Sequence, residues 1–360
     1  MKIIAYYLPQ FHEIEENNKW WGKGFTEWTN IKSAKKLYLK HIQPKKPLNK
    51  NYYNLLNKET VEWQTNLAVK YGIYGFCYYH YWFNGRKILE KPAENLLKWK
   101  DINQKFCFCW ANHSWRKTWN GTNQTLLEQL YGNEKEWKDH FNYLLKFFND
   151  SRYIKIDNKP ILILFRSKEI PMLDERIKFY TEEAKKNGFN GIFIIESLNL
   201  KKEYKKSNFS SAVVLREPNL GIVSSNYFLR FMYKIKRMFK KNYLGKPMIF
   251  NFNSITKNSL NYAKKYIKKF KDNETIFLGS FTSWDNTPRH EKRGFVIENG
   301  NPEKFKKYLL EQKKLMKKNE IEYIFLNAWN EWAEGMYLEP DEKYKYEYLE
   351  AIKEVMNTEI

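Results

Sequence analysis

Eight short apolar runs, rich in β-branched and aromatic residues, alternate with longer polar segments along this chain. The apolar runs are residues 3–8, 73–79, 106–111, 161–165, 192–196, 212–215, 276–280 and 323–328. Five of the polar segments repeat apolar residues at the spacing of an amphipathic helix, and these are residues 59–71, 134–148, 172–187, 259–271 and 302–318. Strand alternating with helix eight times predicts an α/β protein with a (β/α)8 TIM-type barrel.

The segment between the sixth and seventh runs, about residues 219–275, is longer than a simple crossover requires. Within it, residues 226–247 combine apolar residues at helical spacing with arginines and lysines. A basic amphipathic helix of this kind either packs its apolar stripe on the protein or lies on an anionic membrane surface. We therefore expect a single barrel domain, residues 1–360, with a helical insertion at about 219–275 between strands 6 and 7.

A barrel of this type holds its functional side chains just after the strands, at the carboxyl-end face. Aromatic and polar residues follow nearly every apolar run, which suits a sugar site: rings pack under apolar sugar faces and polar groups bind hydroxyls. A single Tyr or Trp at a strand end more often packs in the core than binds a ligand. The evidence for a site is therefore the repetition of such residues after nearly every apolar run. The side chains predicted to bind substrate are Tyr7, Gln10, His12, Tyr79, His80, Trp110, Asn112, Glu217, Trp284, Asp285 and Asn330.

Two carboxylates, Glu331 and Glu334, follow the eighth run directly and lie among aromatic residues. Residues three apart share one face only on a helical turn, so a turn beginning at Asn330 would aim both carboxyl groups into one pocket. Two neighbouring carboxylates are what cleavage of a glycosidic bond requires, one as acid on the leaving oxygen and one as base or nucleophile. The alternative is a solvated helix start with acidic residues favoured by the helix dipole. We expect Glu334 to have the raised pKa and Glu331 to be the ionised, better hydrogen-bonded partner.

The formal net charge is +22, and the basic residues are spread along the whole chain. Such a charge favours anionic partners, among them an acidic or lipid-linked polysaccharide, an anionic membrane face or nucleic acid. A lysine-rich composition without functional meaning is the alternative. Neither an HExxH pattern, a GxSxG elbow nor a Gly-rich phosphate loop is present, so we expect no metal and no cofactor.

Three cysteines, Cys77, Cys107 and Cys109, lie inside apolar runs, where free thiols behave as small hydrophobic residues. An odd count without a disulfide pattern fits a reducing compartment. The first residues, MKIIAYYLPQFH, have too short an apolar region for a signal peptide. We therefore expect a cytoplasmic protein, with peripheral contact to the inner membrane as an open alternative.

Several long motifs resemble those of the WbsX-like family, whose members are usually labelled glycosyltransferases of O-antigen and other surface polysaccharide clusters. The motifs are YYLPQFH, WWGKGFTEWTN, YGIYGFCYYHYWFNG, FCFCWANHSW, DSRYIKIDNKPILILFR, SWDNTPR and NAWNEWAEGMYLEPD. The resemblance covers about residues 1–350. The family is in turn similar to glycoside hydrolase family 99, endo-α-mannosidases and mannanases with a (β/α)8 barrel and a Glu-x-x-Glu pair after the eighth strand.

That second resemblance implies roles for the two glutamates. The residue that matches Glu331 acts in family 99 as a base on the sugar 2-hydroxyl, which attacks its own anomeric carbon to give a 1,2-anhydro intermediate. The residue that matches Glu334 protonates the leaving oxygen and later activates the acceptor. Participation of a 2-hydroxyl needs that group trans to the leaving oxygen, which favours α-mannosyl-like or α-rhamnosyl-like linkages.

Three functions remain open on the sequence. The preferred one is hydrolysis or transglycosylation of bacterial surface polysaccharide or O-antigen. The second is a nucleotide-sugar-dependent glycosyltransferase, against which the chain shows neither a DxD-type motif nor a doubly wound nucleotide-binding pattern. The third is a basic membrane- or nucleic-acid-binding module without catalysis, although no basic and aromatic groove indicates specific nucleic acid binding.

Overall fold

The structure, a computed structural model, describes residues 1–117, 124–200, 203–224 and 246–360. Its centre is a closed barrel of eight parallel strands in which each strand pairs with the next along the chain and the last pairs with the first. The strands are β1 Lys2–Tyr7, β2 Ile73–Phe83, β3 Phe106–Trp110, β4 Lys159–Leu164, β5 Phe193–Leu198, β6 Ala212–Leu215, β7 Thr275–Phe281 and β8 Tyr323–Asn327. The predicted fold class is confirmed, with one strand in each of the eight apolar runs.

The barrel strands are apolar almost throughout because both of their faces are buried, one inside the barrel and one under the helices. Successive side chains still alternate between these two faces. Tyr6 points inward and stacks on Tyr79 of β2, with 5.6 Å between ring centroids. Tyr7 points outward, and its hydroxyl donates to Gln64 Oε1 at 2.7 Å. This alternation decides which strand-end residues can reach the mouth of the barrel.

Helices cover the outside of the barrel. They are α1 Glu15–Trp21, α2 Glu27–Ser33, α3 Lys58–Lys70, α4 Lys91–Lys98, α5 Glu134–Phe148, α6 Leu173–Lys186, α7 Asn219–Val223, α8 Phe252–Phe270, α9 Thr287–His290, α10 Pro302–Lys318 and α11 Glu347–Asn357. All five predicted helical segments are helical, within a few residues for α3, α5, α6 and α10, whereas α8 begins earlier than expected. Asn251 sets that start, because its side chain accepts from the backbone of Ser254 at 3.3 Å.

The long segment between β6 and β7 is described in part. After α7, the strand Met248–Asn251 pairs in parallel with Phe295–Glu298, and α8 then leads into β7. Residues 225–245, which carry most of the basic amphipathic stretch predicted at 226–247, lie outside the described residues. The single domain with an insertion at about 219–275 therefore stays a prediction. In the part of the chain that is described, no helix is long and apolar enough to cross a membrane.

Candidate active site

The two glutamates lie on a tight hairpin directly after β8. The strand Asn330–Glu331 pairs antiparallel with Met336–Tyr337, and a single 3-10 turn, Trp332–Glu334, joins them. Glu331 is the N-cap of this turn and Glu334 its last residue, and the two are close enough for the charge of Glu334 to act on Glu331. Gly335 closes the turn at φ 62°, and a Cβ there would lie 3.0 Å from the backbone nitrogen of Asp285. A side chain would be strained at that position.

Asn330 fixes the hairpin to the end of β1 and does not face a pocket. Its Oδ1 accepts from the backbone nitrogen of Leu8 at 2.7 Å, and its Nδ2 donates to the Leu8 carbonyl at 3.0 Å. These two hydrogen bonds extend the pairing of β1 with β8 by one step beyond the last paired backbone. Trp329 precedes it and donates its backbone N–H to the Tyr6 carbonyl at 2.8 Å. Asn330 is therefore a positioning residue for Glu331 and not the predicted substrate contact.

Glu331 lies at the top of the barrel interior and is 5% exposed. The Tyr79 hydroxyl hydrogen-bonds to its carboxylate, and the Arg216 guanidinium lies close enough to attract it. Burial raises the pKa of Glu331 to about 7, and the negative charge of Glu334 acts in the same direction, while Arg216 and Tyr79 oppose the rise. Glu331 can therefore exchange a proton near neutral pH.

Arg216 is a site residue that is absent from the predicted substrate contacts, although it directly follows β6. Its guanidinium lies over the rings of Tyr6 and Phe165, 4.6 Å and 4.5 Å from their centroids, and it donates to the Tyr79 hydroxyl at 2.6 Å. The hydroxyl of Tyr79 thus accepts from Arg216 and donates to Glu331. This relay holds the Glu331 carboxyl in one orientation.

Glu334 has a more open and more cationic environment, with 24% of its side chain exposed. Arg289 donates to its Oε1 at 2.6 Å, and the indole nitrogen of Trp284 donates to its Oε2 at 3.3 Å. Arg289 is also paired with Glu27, a carboxylate that is 1% exposed at the start of α2. The guanidinium of Arg289 therefore forms ion pairs with two carboxylates, Glu27 and Glu334. The sequence reasoning missed both Arg289 and Glu27, and the SWDNTPR motif was the available signal for the arginine.

The two carboxyl groups have unequal environments, but in the opposite sense to the expected one. The raised pKa belongs to Glu331, which is the more deeply buried of the two, whereas Glu334 is ion-paired with Arg289. The expectation relied on the small neighbours of Glu334, Ala333 and Gly335, and it could not foresee an arginine brought in from position 289. The more buried of the two carboxyl groups is therefore Glu331 and not Glu334 as expected.

Among the predicted substrate contacts, only Tyr79 and Trp284 touch the glutamate pair. Four others point away from it. Tyr7 bonds Gln64 of α3, and His80 lies 2.9 Å from His140 of α5, Nε2 to Nε2. Trp110 packs against His140 and Arg176 outside the barrel. Asn112 ties the end of β3 to the backbone of Arg166, with contacts of 2.9 Å.

The remaining predicted contacts serve the surroundings of the site. Gln10 is half-buried, and its carbonyl accepts from the backbone of Glu27 at 3.0 Å. His12 is buried, which lowers its pKa to about 4 against the opposing effect of the Pro9 carbonyl. Glu217 turns to α7, where it accepts from Gly221 at 2.9 Å, and burial raises its pKa to about 8. Asp285 bonds His41, Gln43 and Thr287 in a neighbouring cavity.

Among the described residues, no group of three or more His, Cys, Asp or Glu side chains is placed to hold a metal ion. The cluster around the glutamate pair holds three carboxyl groups, two guanidinium groups and a phenol. With all three carboxylates ionised, Glu27, Glu331 and Glu334 carry one charge more than Arg216 and Arg289 can balance. One proton on the Glu331–Glu334 pair makes the cluster neutral.

A closed (β/α)8 barrel with paired carboxylates at its carboxyl-end face defines a class of barrel proteins that act on sugars. The model of the family described as glycosyltransferase WbsX matches residues 3–352, and the chain belongs to that family. Two curated relatives, both described as uncharacterized protein WxcX, come from Xanthomonas campestris pv. campestris, strains B100 and ATCC 33913. Each is 27% identical over 358 residues, which is 98% of this chain and 49% of the relative. The chain thus spans about half the length of these relatives.

Solved structures share the fold. The GH99 endo-alpha-mannosidase from Bacteroides thetaiotaomicron has a TM-score of 0.60 at 13% identity, covering 99% of this chain and 96% of that one. A glycoside hydrolase-like protein has a TM-score of 0.63 at 15% identity, covering 99% and 94%. A family 5 xyloglucanase from Paenibacillus pabuli has a TM-score of 0.52 at 10% identity, covering 99% of both chains. At these low identities the matches show a common barrel fold.

Proposed function

We propose that the protein breaks glycosidic bonds, by hydrolysis or by transfer to another sugar, with Glu331 and Glu334 as its catalytic pair. The observation that carries the proposal is the unequal setting of two carboxyl groups on one turn. Glu331 is buried with a pKa of about 7, and Glu334 is held by Arg289 and Trp284. Pairs of titratable groups whose environments differ in this way are typical of acid–base catalysis.

In the proposed reaction, Glu331 takes the proton of the sugar 2-hydroxyl while that oxygen attacks the anomeric carbon. The bond from the anomeric carbon to the leaving oxygen breaks, and Glu334 gives its proton to that oxygen. A water or sugar hydroxyl then opens the 1,2-anhydro ring at the anomeric carbon, giving its proton to Glu334, and Glu331 returns its proton to the 2-oxygen. These roles follow the resemblance to family 99. A carboxylate with a pKa near 7 is a stronger base than an ordinary one, which suits Glu331.

The scheme requires a proton shift when substrate binds, because burial favours the proton on Glu331 in the free protein. A 2-hydroxyl that donates to Glu331 adds to the donation from Tyr79 and to the charge of Arg216, and all three favour the ionised form. Glu334 can accept the proton because its partner Arg289 keeps a second carboxylate, Glu27. The arginine therefore stays paired in both states.

The proposed substrate is an α-mannosyl-like or α-rhamnosyl-like linkage in bacterial surface polysaccharide or O-antigen, free or lipid-linked. The resemblance of the motifs to the WbsX-like family supports a surface glycan as substrate, and a GH99 endo-alpha-mannosidase of similar fold supports the configuration. A cytoplasmic location, with contact to an anionic membrane face, belongs to the same proposal.

The family description also favours a second candidate, a nucleotide-sugar-dependent glycosyltransferase. The two candidates differ in donor, because one needs a glycoside and the other a sugar nucleotide. The third, a binding module without catalysis, would turn over neither.

The test is incubation of the protein with a panel of α-mannans, rhamnans and sugar nucleotides, with products followed by mass spectrometry. Glu331→Gln and Glu334→Gln should each lower turnover of glycans by roughly 100- to 10,000-fold, the usual worth of general acid–base help. Glu182→Gln is the matched control, since that carboxylate has 62% of its side chain exposed on α6. Turnover of sugar nucleotides alone would replace the proposal by the second candidate, and wild-type activity in both glutamine variants would end the site assignment.

A further inference from the structure

A cavity of about 600 Å³ lies next to the glutamate hairpin, on the same carboxyl-end face of the barrel. Its walls come from residues 38–46, from the strand Phe295–Glu298, from the start of α10 and from residues 341–344. Trp284 is the shared wall, because it lines this cavity and also donates its indole N–H to Glu334 at 3.3 Å. A chain of sugars bound at Glu334 can therefore extend into the cavity.

Four carboxylates line the cavity, and each has a polar or charged partner. Glu342 pairs with Lys46 at 3.9 Å, the Tyr38 hydroxyl lies beside Glu298, and Asp285 and Asp341 are held by several donors.

Asp285 accepts from His41 Nε2 at 3.0 Å, from Gln43 Nε2 at 2.7 Å and from Thr287 Oγ1 at 2.6 Å. Burial alone would raise the pKa of Asp285, but the hydrogen bonds from His41 and Thr287 and the charge of Lys45 hold it below its usual value.

Asp341, another carboxylate in the wall, also has several hydrogen-bond donors. It accepts from the Tyr337 hydroxyl at 2.6 Å and from the backbone nitrogens of Lys343 and Tyr344 at 3.0 Å and 2.5 Å. Neither Asp285 nor Asp341 thus has to draw on a lysine for its hydrogen bonds.

In the described part of the chain, Lys45, Lys304 and Lys343 of the cavity have no carboxylate partner at ion-pair distance. Lys45 is half-buried, and its ammonium lies 3.4 Å from the Gly335 carbonyl and 5.2 Å from the ring centroid of Tyr337. Within the described ranges, no carboxylate oxygen comes within 4.0 Å of its Nζ, although Asp285 and Asp341 act on it from farther away. Lys304 donates to the Asn299 carbonyl at 2.7 Å, and Lys343 lies over the ring of Tyr344 at 4.3 Å. Carbonyl groups and aromatic rings carry no net charge, so these contacts leave the positive charge of the three ammonium groups without a close counter-ion among the described residues.

A further contribution comes from α10, a helix of 17 residues whose N-cap, Asn301, lines the cavity. The positive end of its dipole therefore faces the same space as the lysines. Five lysines line the cavity against its four carboxylates, and Lys45, Lys304 and Lys343 have no ion pair within 4.0 Å among the described residues. Together with the positive helix end, this arrangement favours an anion.

We propose that this cavity binds an anionic group of the glycan, a carboxylate of a uronic acid or a phosphate, beyond the sugar held at Glu331 and Glu334. Lys45 is its central contact, with Lys304 and Lys343 around it. The inference rests on the proposed function only in taking the ligand to be a glycan. Such a site would select acidic surface polysaccharide over neutral polymers of the same linkage.

The test is isothermal titration calorimetry of the full chain with three probes: a uronic acid trisaccharide, the same trisaccharide as its neutral methyl ester, and a sugar 1-phosphate. At least one charged probe should bind about 10-fold or more tightly than the methyl ester, since a hydrogen bond to a charged group is worth about that factor. Tight binding of the trisaccharide assigns a carboxylate, and tight binding of the sugar phosphate assigns a phosphate.

Lys45→Gln should lose this preference, and Lys304→Gln, in which a surface side chain changes, should weaken it. Lys135→Gln removes an exposed lysine at the start of α5 and should leave binding as in the wild type. Equal affinity for charged and neutral probes, or an equal loss in the Lys135 control, would overturn the inference. Because binding is measured without turnover, the result stands apart from the proposed function: a protein that binds the anion and cleaves no glycan refutes only the latter.

Discussion

Replacing Glu331 by glutamine is expected to stabilise the folded protein at neutral pH, although it removes a proposed catalytic group. The physical reason is that the fold holds this carboxyl in a place where its ionised form is disfavoured. Burial and the charge of Glu334 raise its pKa from an ordinary 4.5 to about 7. Glutamine keeps the shape and accepts from Tyr79 without ionising.

The magnitude follows from linkage between proton binding and folding. A pKa that rises from 4.5 to about 7 corresponds to about 3 kcal/mol, since each pKa unit is worth about 1.36 kcal/mol. The raised pKa destabilises the folded protein at high pH, where the unfolded chain would be ionised at this position. Below pH 4.5 both the folded and the unfolded chain hold the proton, so this penalty is absent, and it grows as pH rises and is complete above about pH 7.

The assay is urea denaturation of the wild type and of Glu331→Gln between pH 4 and pH 8, followed by circular dichroism. The difference in free energy of unfolding should be near zero at pH 4 and should favour the variant increasingly toward pH 8. Glu182→Gln, at an exposed position, should show no such pH dependence. A Glu331→Gln protein that is less stable than the wild type at pH 8 would refute the reasoning on desolvation.

Three further outcomes follow from the same contacts. The kcat/KM for a glycan should fall as pH rises through about 7, because the Glu331–Glu334 pair then loses its last proton. Tyr79→Phe should move that fall to higher pH, because the hydrogen bond from Tyr79 favours the ionised form of Glu331. Arg289→Gln, which leaves two carboxylates without their cation, should cost at least about 2 kcal/mol in urea denaturation, against less than about 1 kcal/mol for the exposed Arg166→Gln. Tyr7→Phe should lower the free energy of unfolding by about 1 kcal/mol, through Gln64, while kcat stays unchanged.

The barrel could be predicted from the sequence because its determinants are local. Each buried strand is a short apolar run, and most crossover helices have a clear apolar stripe, as in α5 and α10. Other helices were not predicted, and α4 and α11 are two examples. The α4 helix is only 8 residues long and has a proline in its first turn, which is typical of a helix start but also of a loop. The α11 helix has buried residues at Tyr348, Ile352 and Val355, a helical spacing that was present in the sequence.

The site was harder to predict, because it depends on the direction of each side chain and on partners far apart in sequence. Tyr79 and His80 are neighbours on β2, and two successive residues of a strand cannot both face the barrel mouth. In the structure Tyr79 is the residue of β2 that faces the site. On β1, Tyr6 points into the barrel and Tyr7 points outward. The pair of Arg289 with Glu27 joins residues 262 positions apart, so no local pattern could indicate it. The glutamate pair was readable because its two members are three residues apart, and Tyr79 and Trp284 are the predicted contacts that lie against it.

The central claim is that Glu331 and Glu334 divide the work of base and acid, and the leaving group tests it most directly. An aryl α-mannoside with a dinitrophenolate leaving group needs no proton on departure, whereas a natural disaccharide does. We predict that Glu334→Gln keeps kcat/KM, which reports the departure of the leaving group, within about 10-fold of wild type on the activated substrate and loses roughly 100- to 10,000-fold in kcat/KM on the disaccharide. Glu331→Gln should lose activity on both. The reverse pattern would exchange the two roles, and undiminished activity of both variants on the disaccharide would contradict the claim.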